Sequence, residues 1–326
     1  MATTPESSVS KDQDKPTGTG SSRSLLHPRH WPSWILVGCS YLIGFLPFPL
    51  LWALGQGLGR LGYLLVGSRR RVTLRNLAIC FPTLTEHARR RLATRHFGHL
   101  GVAVCTQGLV WGSSRQRLRR IVRFRHREYL DQLLRNRCNL ILMVPHFVGL
   151  ELGGAAYTAL IRPSMYLYQK IRNPVIDAQV RRSRSRFGAL AVERRDGLQR
   201  MVREIRQGNP LFYLPDQDPR RRGILVPFCG IPTATVPTLS RLAHLGQARV
   251  IPVTARYRPW GRGLELIFHS PLASFPTNDR EADTARMNRA IEAQIHTLPE
   301  QYFWVHRRFK TRPPGESPIY DSNRHQ

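Results

Sequence analysis

Residues 139–154 read NLILMVPHFVGLELGG. The stretch opens with an apolar run too short to cross a bilayer and closed by Pro145, which reads as a strand buried on both faces of a parallel sheet. His146 therefore stands where the strand ends. Glu151 follows five residues later on a turn entering a helix, with Gly149, Gly153 and Gly154 allowing close backbone approach. On a regular helix, five steps of about 100° would leave the two side chains roughly 140° apart. They meet only if the segment starts non-helically, which a strand-to-turn position supplies.

Such a pair suits base catalysis on a hydroxyl. A neutral imidazole takes a proton near neutral pH, and a carboxylate on its other nitrogen fixes the tautomer and stabilises the imidazolium. No Ser or Cys follows as a nucleophile and no second His stands at the H-E-x-x-H spacing, so a zinc site fits poorly. The activated hydroxyl then belongs to a substrate. The competing reading is a helix-capping His beside a Glu in a surface salt bridge.

Downstream of this stretch, strand-like and helix-like segments alternate. Strands are expected near residues 140–144, 165–168, 189–192, 211–214 and 249–254, and helices near 151–160, 175–187, 197–207 and 238–246. That alternation predicts an α/β fold, a mostly parallel sheet flanked by helices, with the site at the carboxyl ends of the strands. His146 falls at such an end, as do Asp216 and Asp218. The segment 168–188, YQKIRNPVIDAQVRRSRSRFG, carries Lys170, Arg172, Arg184 and Arg186. A guanidinium fork grips phosphate or carboxylate with two prongs or steadies a developing oxyanion; a solvated basic helix face is the plainer reading for most of these residues. Asp216 and Asp218 flank Gln217 without a nearby third ligand, so they are expected to hold neighbouring Arg side chains or loop amides rather than a metal. Residues 224–238, apolar and Pro-rich, suit the wall of an acyl-chain groove or core packing.

Upstream, residues 74–109 predict two helices, with Pro82 stopping the first and Thr85 capping the second. An Arg-rich segment from residue 116 reads as helical. Residues 34–53, WILVGCSYLIGFLPFPLLWA, carry no charge, and about 20 apolar residues is the length of one membrane crossing. An N-terminal hydrophobic membrane-anchor helix is therefore expected, with Pro47 and Pro49 kinking it or splitting the run. Arg60, Arg69, Arg70, Arg71 and Arg75 follow it, which by the positive-inside rule puts the bulk of the chain on the cytoplasmic side.

The chain of 326 residues has a net charge of +29, and only four of its 50 cations are Lys. That charge must meet anions such as nucleic acid, lipid headgroups, phosphorylated glycolipid or an acidic carrier protein. Nothing matches an RNA-recognition signature or a helix-turn-helix, so nucleic acid is not the expected partner. The C-terminal PEQYFWVHRRFKTRPPGE interleaves aromatics with cations in a way that also suits a membrane interface beside phosphates. Five scattered Cys without C-x-x-C read as buried free thiols in a reducing compartment.

These pieces, taken together, resemble a known family. HPRHWPSW, RRRVTLRNLAICFP, PHFVGLELG, RNPVID with SRSR, RRDGLQ, LPDQD, VPFCGIPTATV and QYFWVHRRFKTRP, in this order over residues 26–314, look like the lipid A biosynthesis acyltransferases of Gram-negative bacteria, which add secondary laurate or myristate and belong to the lysophospholipid-acyltransferase-like superfamily. The resemblance implies acyl transfer from acyl carrier protein to the hydroxyl of a 3-hydroxyacyl chain on a lipid A precursor, without metal or other cofactor. It implies His146 as general base and Glu151 as its orienting partner, with Arg184, then Arg186, near the acidic partner and Asp216 and Asp218 supporting; Lys170 and Arg172 join the Arg pair as candidate oxyanion or phosphate contacts on the basic character of their segment alone. Composition and the extent of the resemblance together divide the chain into a disordered tail over 1–25, an anchor over 26–68, the acyltransferase domain over 69–314 and a disordered tail over 315–326. The location it implies is the cytoplasmic face of the bacterial inner membrane, against phospholipid. An ornithine lipid or a glycosylated phosphoinositide is the alternative acceptor for the same chemistry. PRRRG after LPDQD departs from the family pattern, where relatives often carry Tyr-Gly, and leaves that loop's shape open.

Overall fold

The computed structural model describes residues 25–193 and 196–320. Nine strands are found among the described residues: β1 (Val122–Arg125), β2 (Asn139–Met143), β3 (Met165–Tyr168), β4 (Leu190–Glu193), β5 (Leu211–Tyr213), β6 (Ile224–Phe228), β7 (Ile231–Thr235), β8 (Ala248–Tyr257) and β9 (Leu264–Phe268). Seven of them form one sheet in the order β1-β9-β8-β2-β5-β3-β4, with β6 and β7 a separate antiparallel hairpin. Every pairing in the large sheet is parallel except β8 with β9.

The quoted apolar run lies in the middle of this sheet. β2 pairs in parallel with β8 on one side and β5 on the other. Its side chains alternate between two apolar layers, as the period of two requires. Ile141 and Met143 pack into one core with Ile205, Leu242 and Ile295, while Leu140, Leu142 and Val144 pack into another with Leu130, Tyr157 and Phe212. Burial on both faces explains why the run is continuously hydrophobic.

The helices of the N-terminal half are α1 (Trp31–Gly44), α2 (Phe48–Leu65), α3 (Gly67–Cys80), α4 (Glu86–Cys105), α5 (Gln107–Gly112) and α6 (Arg115–Ile121). Then α7 (Arg127–Arg135), α8 (Leu150–Leu160), α9 (Pro174–Ser185), α10 (Gly197–Arg206), α11 (Thr238–Gly246) and α12 (Arg280–Thr297) cover the sheet. Thr85 caps α4 as expected, its hydroxyl accepting from the Ala88 amide at 3.2 Å. Against α2, α4 packs backbone to backbone. A Cβ on Gly59 would lie 2.0 Å from the Phe97 carbonyl oxygen, and one on Gly101 the same distance from that of Gly55.

Several expectations need correction. The 20-residue apolar run is not one anchor helix: Pro47, at φ −54° and ψ 142°, ends the first segment and caps the second, giving α1 and α2. At 1.5 Å per residue, the 14 residues of α1 reach about 21 Å against a hydrocarbon core of about 30 Å, and no helix among the described residues is long and apolar enough to cross a membrane. The Arg-rich segment read as helical yields to β1 after Ile121, because Val122 and Phe124 turn inward beside β9. The strand β9 and helix α12, which lie between the recognised motifs, were not anticipated, and of the two readings of residues 224–238 the core packing holds: residues 224–235 form a hairpin that puts Phe228 into the core, with Ile231 against it. Of the two expected tails, residues 1–24 and 321–326 lie outside the described residues. Residues 315–320 are not loose, since Ile319 and Tyr320 pack on the core and the Tyr320 hydroxyl donates to Asn76 Oδ1.

Candidate active site

β2 delivers His146 after Val144 and Pro145, and the chain turns through residues 147–149 before α8 begins at Leu150. The non-helical start therefore exists. The imidazole nevertheless finds its carboxylate elsewhere. Asp216 takes His146 with both oxygens: Oδ2 accepts from the backbone N–H at 2.8 Å, and Oδ1 lies 2.6 Å from Nδ1. Sheet register places them together. Met143 is opposite Tyr213 across the β2–β5 pair, so three residues further along both strands His146 comes opposite Asp216. Where the spacing along the segment pointed to Glu151 as the orienting partner, the carboxylate at hydrogen-bond distance from the ring is that of Asp216, presented in register by the neighbouring strand end.

Asp216 is almost fully buried. Burial alone would raise its pKa, but the His146 charge and the hydrogen bonds from its ring and backbone outweigh that, and the buried Tyr302 hydroxyl acts in the same sense; the carboxyl sits below its ordinary range. For His146, burial would lower the pKa. The Asp216 charge and hydrogen bond, with a smaller contribution from Glu151, hold it above the ordinary 6.5. With Nδ1–H directed at Asp216, Nε2 carries the lone pair, and the Gln217 amide nitrogen donates to it at 3.0 Å. The His146 carbonyl is fixed too, accepting from the Phe303 amide at 2.9 Å.

Glu151 and Arg184 form an ion pair at 2.5 Å, and the Arg184 guanidinium lies 4.8 Å over the Tyr166 ring. Both line, with His146, a cavity of about 250 Å³ walled by Leu150, Ala155, Tyr166, Phe187, Phe212 and Leu214. The apolar wall comes from α8, from Phe187 and Ala189 just after α9, and from β3 and the end of β5, not from residues 224–235. A second cleft of about 460 Å³ reaches His146 from the side of α11, bordered by Gln217 and Asp218.

The remaining predicted residues divide. Arg186 turns away, donating to the Val110 carbonyl at 2.8 Å and stacking on Phe187. Lys170 and Arg172 are exposed and do not line the cavity that holds Glu151 and Arg184. Asp218 holds loop amides as expected, accepting from Arg220 N at 2.6 Å and from Thr311 N at 2.7 Å. Asp216 likewise holds an amide, that of His146, together with the imidazole ring in place of an Arg side chain. The LPDQD loop thereby clasps the C-terminal segment, whose Tyr302, Trp304 and Phe309 are buried rather than placed at a membrane surface. Sequence reasoning missed Gln217, Tyr302, Phe303 and His306 as neighbours of His146. The bracketing of Gln217 by two Asp was the one signal that could have found the first.

With this geometry in hand, comparison with known proteins is decisive. The family model for bacterial lipid A biosynthesis acyltransferases matches residues 19–311. The chain belongs to that family. It is 33% identical over 296 residues to a lipid A biosynthesis lauroyltransferase of Escherichia coli (strain K12), covering 90% of this chain and 96% of that one. It is equally 33% identical over 305 residues to a lipid A biosynthesis palmitoleoyltransferase of the same organism, covering 92% and 97%. Among solved structures, the 1-acyl-sn-glycerophosphate acyltransferase of Thermotoga maritima aligns with a TM-score of 0.37 and 13% identity, over 71% of this chain and 97% of that one. The chain is an acyltransferase of lipid A biosynthesis.

Proposed function

We propose that this acyltransferase moves a fatty acyl group from the thioester of acyl carrier protein to the hydroxyl of a 3-hydroxyacyl chain on a lipid A precursor. The observation that carries this reading is the pairing of His146 with the buried Asp216, where His146 lines both an apolar cavity and a second cleft. Asp216 keeps the proton on Nδ1, so Nε2 is the base. The acceptor O–H takes the place of the Gln217 amide against Nε2 and gives up its proton there. Its oxygen attacks the thioester carbonyl, the C–S bond breaks, and the departing sulfur leaves as a thiol with the proton from the imidazolium. Asp216 offsets the transient positive charge and Glu151 adds to that field. Arg184, steadied by Glu151 and Tyr166, is placed to meet the carbonyl oxygen as it becomes negative. No metal or other cofactor enters the scheme.

The apolar outer faces of α1 and α2 support seating on the cytoplasmic face of the bacterial inner membrane without a crossing. Trp31, Ile35, Leu42 and Phe45 are exposed on one segment and Leu50, Leu61, Leu64 and Leu65 on the next, an arrangement suited to lying in the interface. The +29 charge then draws the chain to phospholipid headgroups, phosphorylated lipid A precursor and acidic carrier protein alike.

The test is transfer from acyl carrier protein to a lipid A precursor, read by mass spectrometry as one added acyl chain. Wild type should produce it and His146→Ala should not, with membrane association unchanged. Full transfer by His146→Ala, or transfer only to an ornithine lipid or a glycosylated phosphoinositide, would overturn the reading.

A further inference from the structure

The apolar cavity beside Glu151 is not the only apolar space close to the imidazole. A groove of about 580 Å³ runs between α2 and α4, lined by Leu58, Gly62, Val66, Phe97, Leu100 and Val104. It ends against Phe303 and His306, and these same two residues line a small chamber that contains His146, Asp216 and Gln217. Groove and chamber thus share a wall. The Phe303 ring centroid is 6.4 Å from that of His146.

Three features define what the groove takes. Its mouth is continuous with the exposed apolar face, for Leu58, Val66 and Val104 are 47%, 44% and 67% exposed, so a hydrocarbon chain can enter without leaving an apolar surrounding. Its lining contains no carboxylate, and its one cation is Arg69, exposed and bonded only to the Val305 carbonyl at 3.3 Å, with no carboxylate partner among the described residues. Arg71 and Arg75 are exposed on the same helix α3. The cavity at Glu151 differs: it is smaller, and the buried Thr158 and Ser164 hydroxyls, 2.9 Å apart, are part of its lining.

We infer that the α2–α4 groove seats the hydroxylated acyl chain of the acceptor, an anionic phosphorylated lipid, with Arg69 at its headgroup, while the cavity at Glu151 and Arg184 takes the donor chain. This rests on the proposed function and deepens it. A chain that belongs to a membrane lipid slides sideways out of the bilayer, whereas a chain carried by a soluble protein is fed in from the aqueous side. The close packing at Gly59 and Gly101 forms the groove floor, where a larger residue would separate α2 from α4.

The glycines also supply the test. A Cβ on Gly62 meets only Phe97 Cδ1, at 3.9 Å, and one on Gly57, outside the groove lining, meets nothing within 4 Å. Gly62→Phe should therefore fold and fill the groove. It should raise KM for the lipid A precursor roughly tenfold, the equivalent of about 1.4 kcal/mol, with KM for the acyl carrier protein thioester unchanged and Gly57→Phe matching wild type in both. Arg69→Gln should also raise the acceptor KM, less so at high salt. Equilibrium binding of the precursor in mixed micelles without donor gives the same ranking where no turnover occurs. A Gly62→Phe enzyme that raises only the donor KM, or leaves precursor binding at the wild-type value, overturns the groove assignment while the loss of transfer in His146→Ala still stands.

Discussion

Asp216 approaches His146 in a geometry in which charge and tautomer are coupled. Asp216→Asn keeps the shape but offers an amide that can donate as well as accept, so the imidazole loses its fixed tautomer; kcat should fall by roughly 10³- to 10⁴-fold. Because the Asp216 charge is what holds the His146 pKa up against burial, the surviving activity should show its acid limb at lower pH than wild type. The sign follows from the base being neutral imidazole: activity rises as pH passes the His146 pKa, above 6.5 in wild type. A pH profile of kcat/KM for both proteins checks this, and an unmoved limb would mean that the titrating group lies elsewhere. Glu151→Gln should lower the rate less than Asp216→Asn, since Glu151 reaches the imidazole through the field and its direct partner is Arg184. Equal losses would restore Glu151 to the orienting role expected from the sequence.

The helices α2 and α4 are held by contact between backbones, and that makes particular residues intolerant. Gly59→Ala forces a methyl into the Phe97 carbonyl and should cost about 1–3 kcal/mol as overpacking, read as a lower Tm; Gly57→Ala, which meets nothing and raises helix propensity, should hold or raise it. The same helix α4 buries His96, whose pKa falls to about 3, and carries the half-buried His99, whose pKa falls to about 4, in both cases chiefly through loss of solvent. Both pKa values are depressed in the fold, so as pH drops below 6.5 the unfolded chain binds protons that the folded one refuses, and stability declines. For His96 the decline is about 1.4 kcal/mol per pH unit until its folded pKa is reached. Melting should therefore move to lower temperature between pH 7 and pH 5, and less steeply in His96→Gln; parallel curves for the two proteins would contradict this.

At the scale of the molecule, the sheet sets a reactive edge and the N-terminal helices set an apolar face beside it. Vesicles of anionic phospholipid should bind the protein, with high salt removing the electrostatic share and leaving an apolar remainder. Leu61→Glu with Leu65→Glu should weaken that remainder in a co-sedimentation assay, because both side chains are exposed on α2 and a charge there stays in water. Binding indifferent to the substitutions would put the membrane face elsewhere. The sequence by itself determined the parallel core and the position of His146, because a strand buried on both faces leaves an uninterrupted apolar run and Pro145 marks its end. It determined too the cap at Thr85 and the helices that follow β2, β3 and β4, which are local matters of capping and periodicity. The sequence did not reveal β1 or β9, whose inward side chains are decided by neighbours far along the chain. Only the tertiary structure decided which carboxylate serves His146. Asp216 lies 70 residues away, and its distance from the imidazole depends on the register between β2 and β5, a quantity that no spacing along one segment contains. The division of the apolar run into two helices was likewise open in the sequence, where Pro47 allowed a kink or a break, until the packing of α2 on α4 fixed the break.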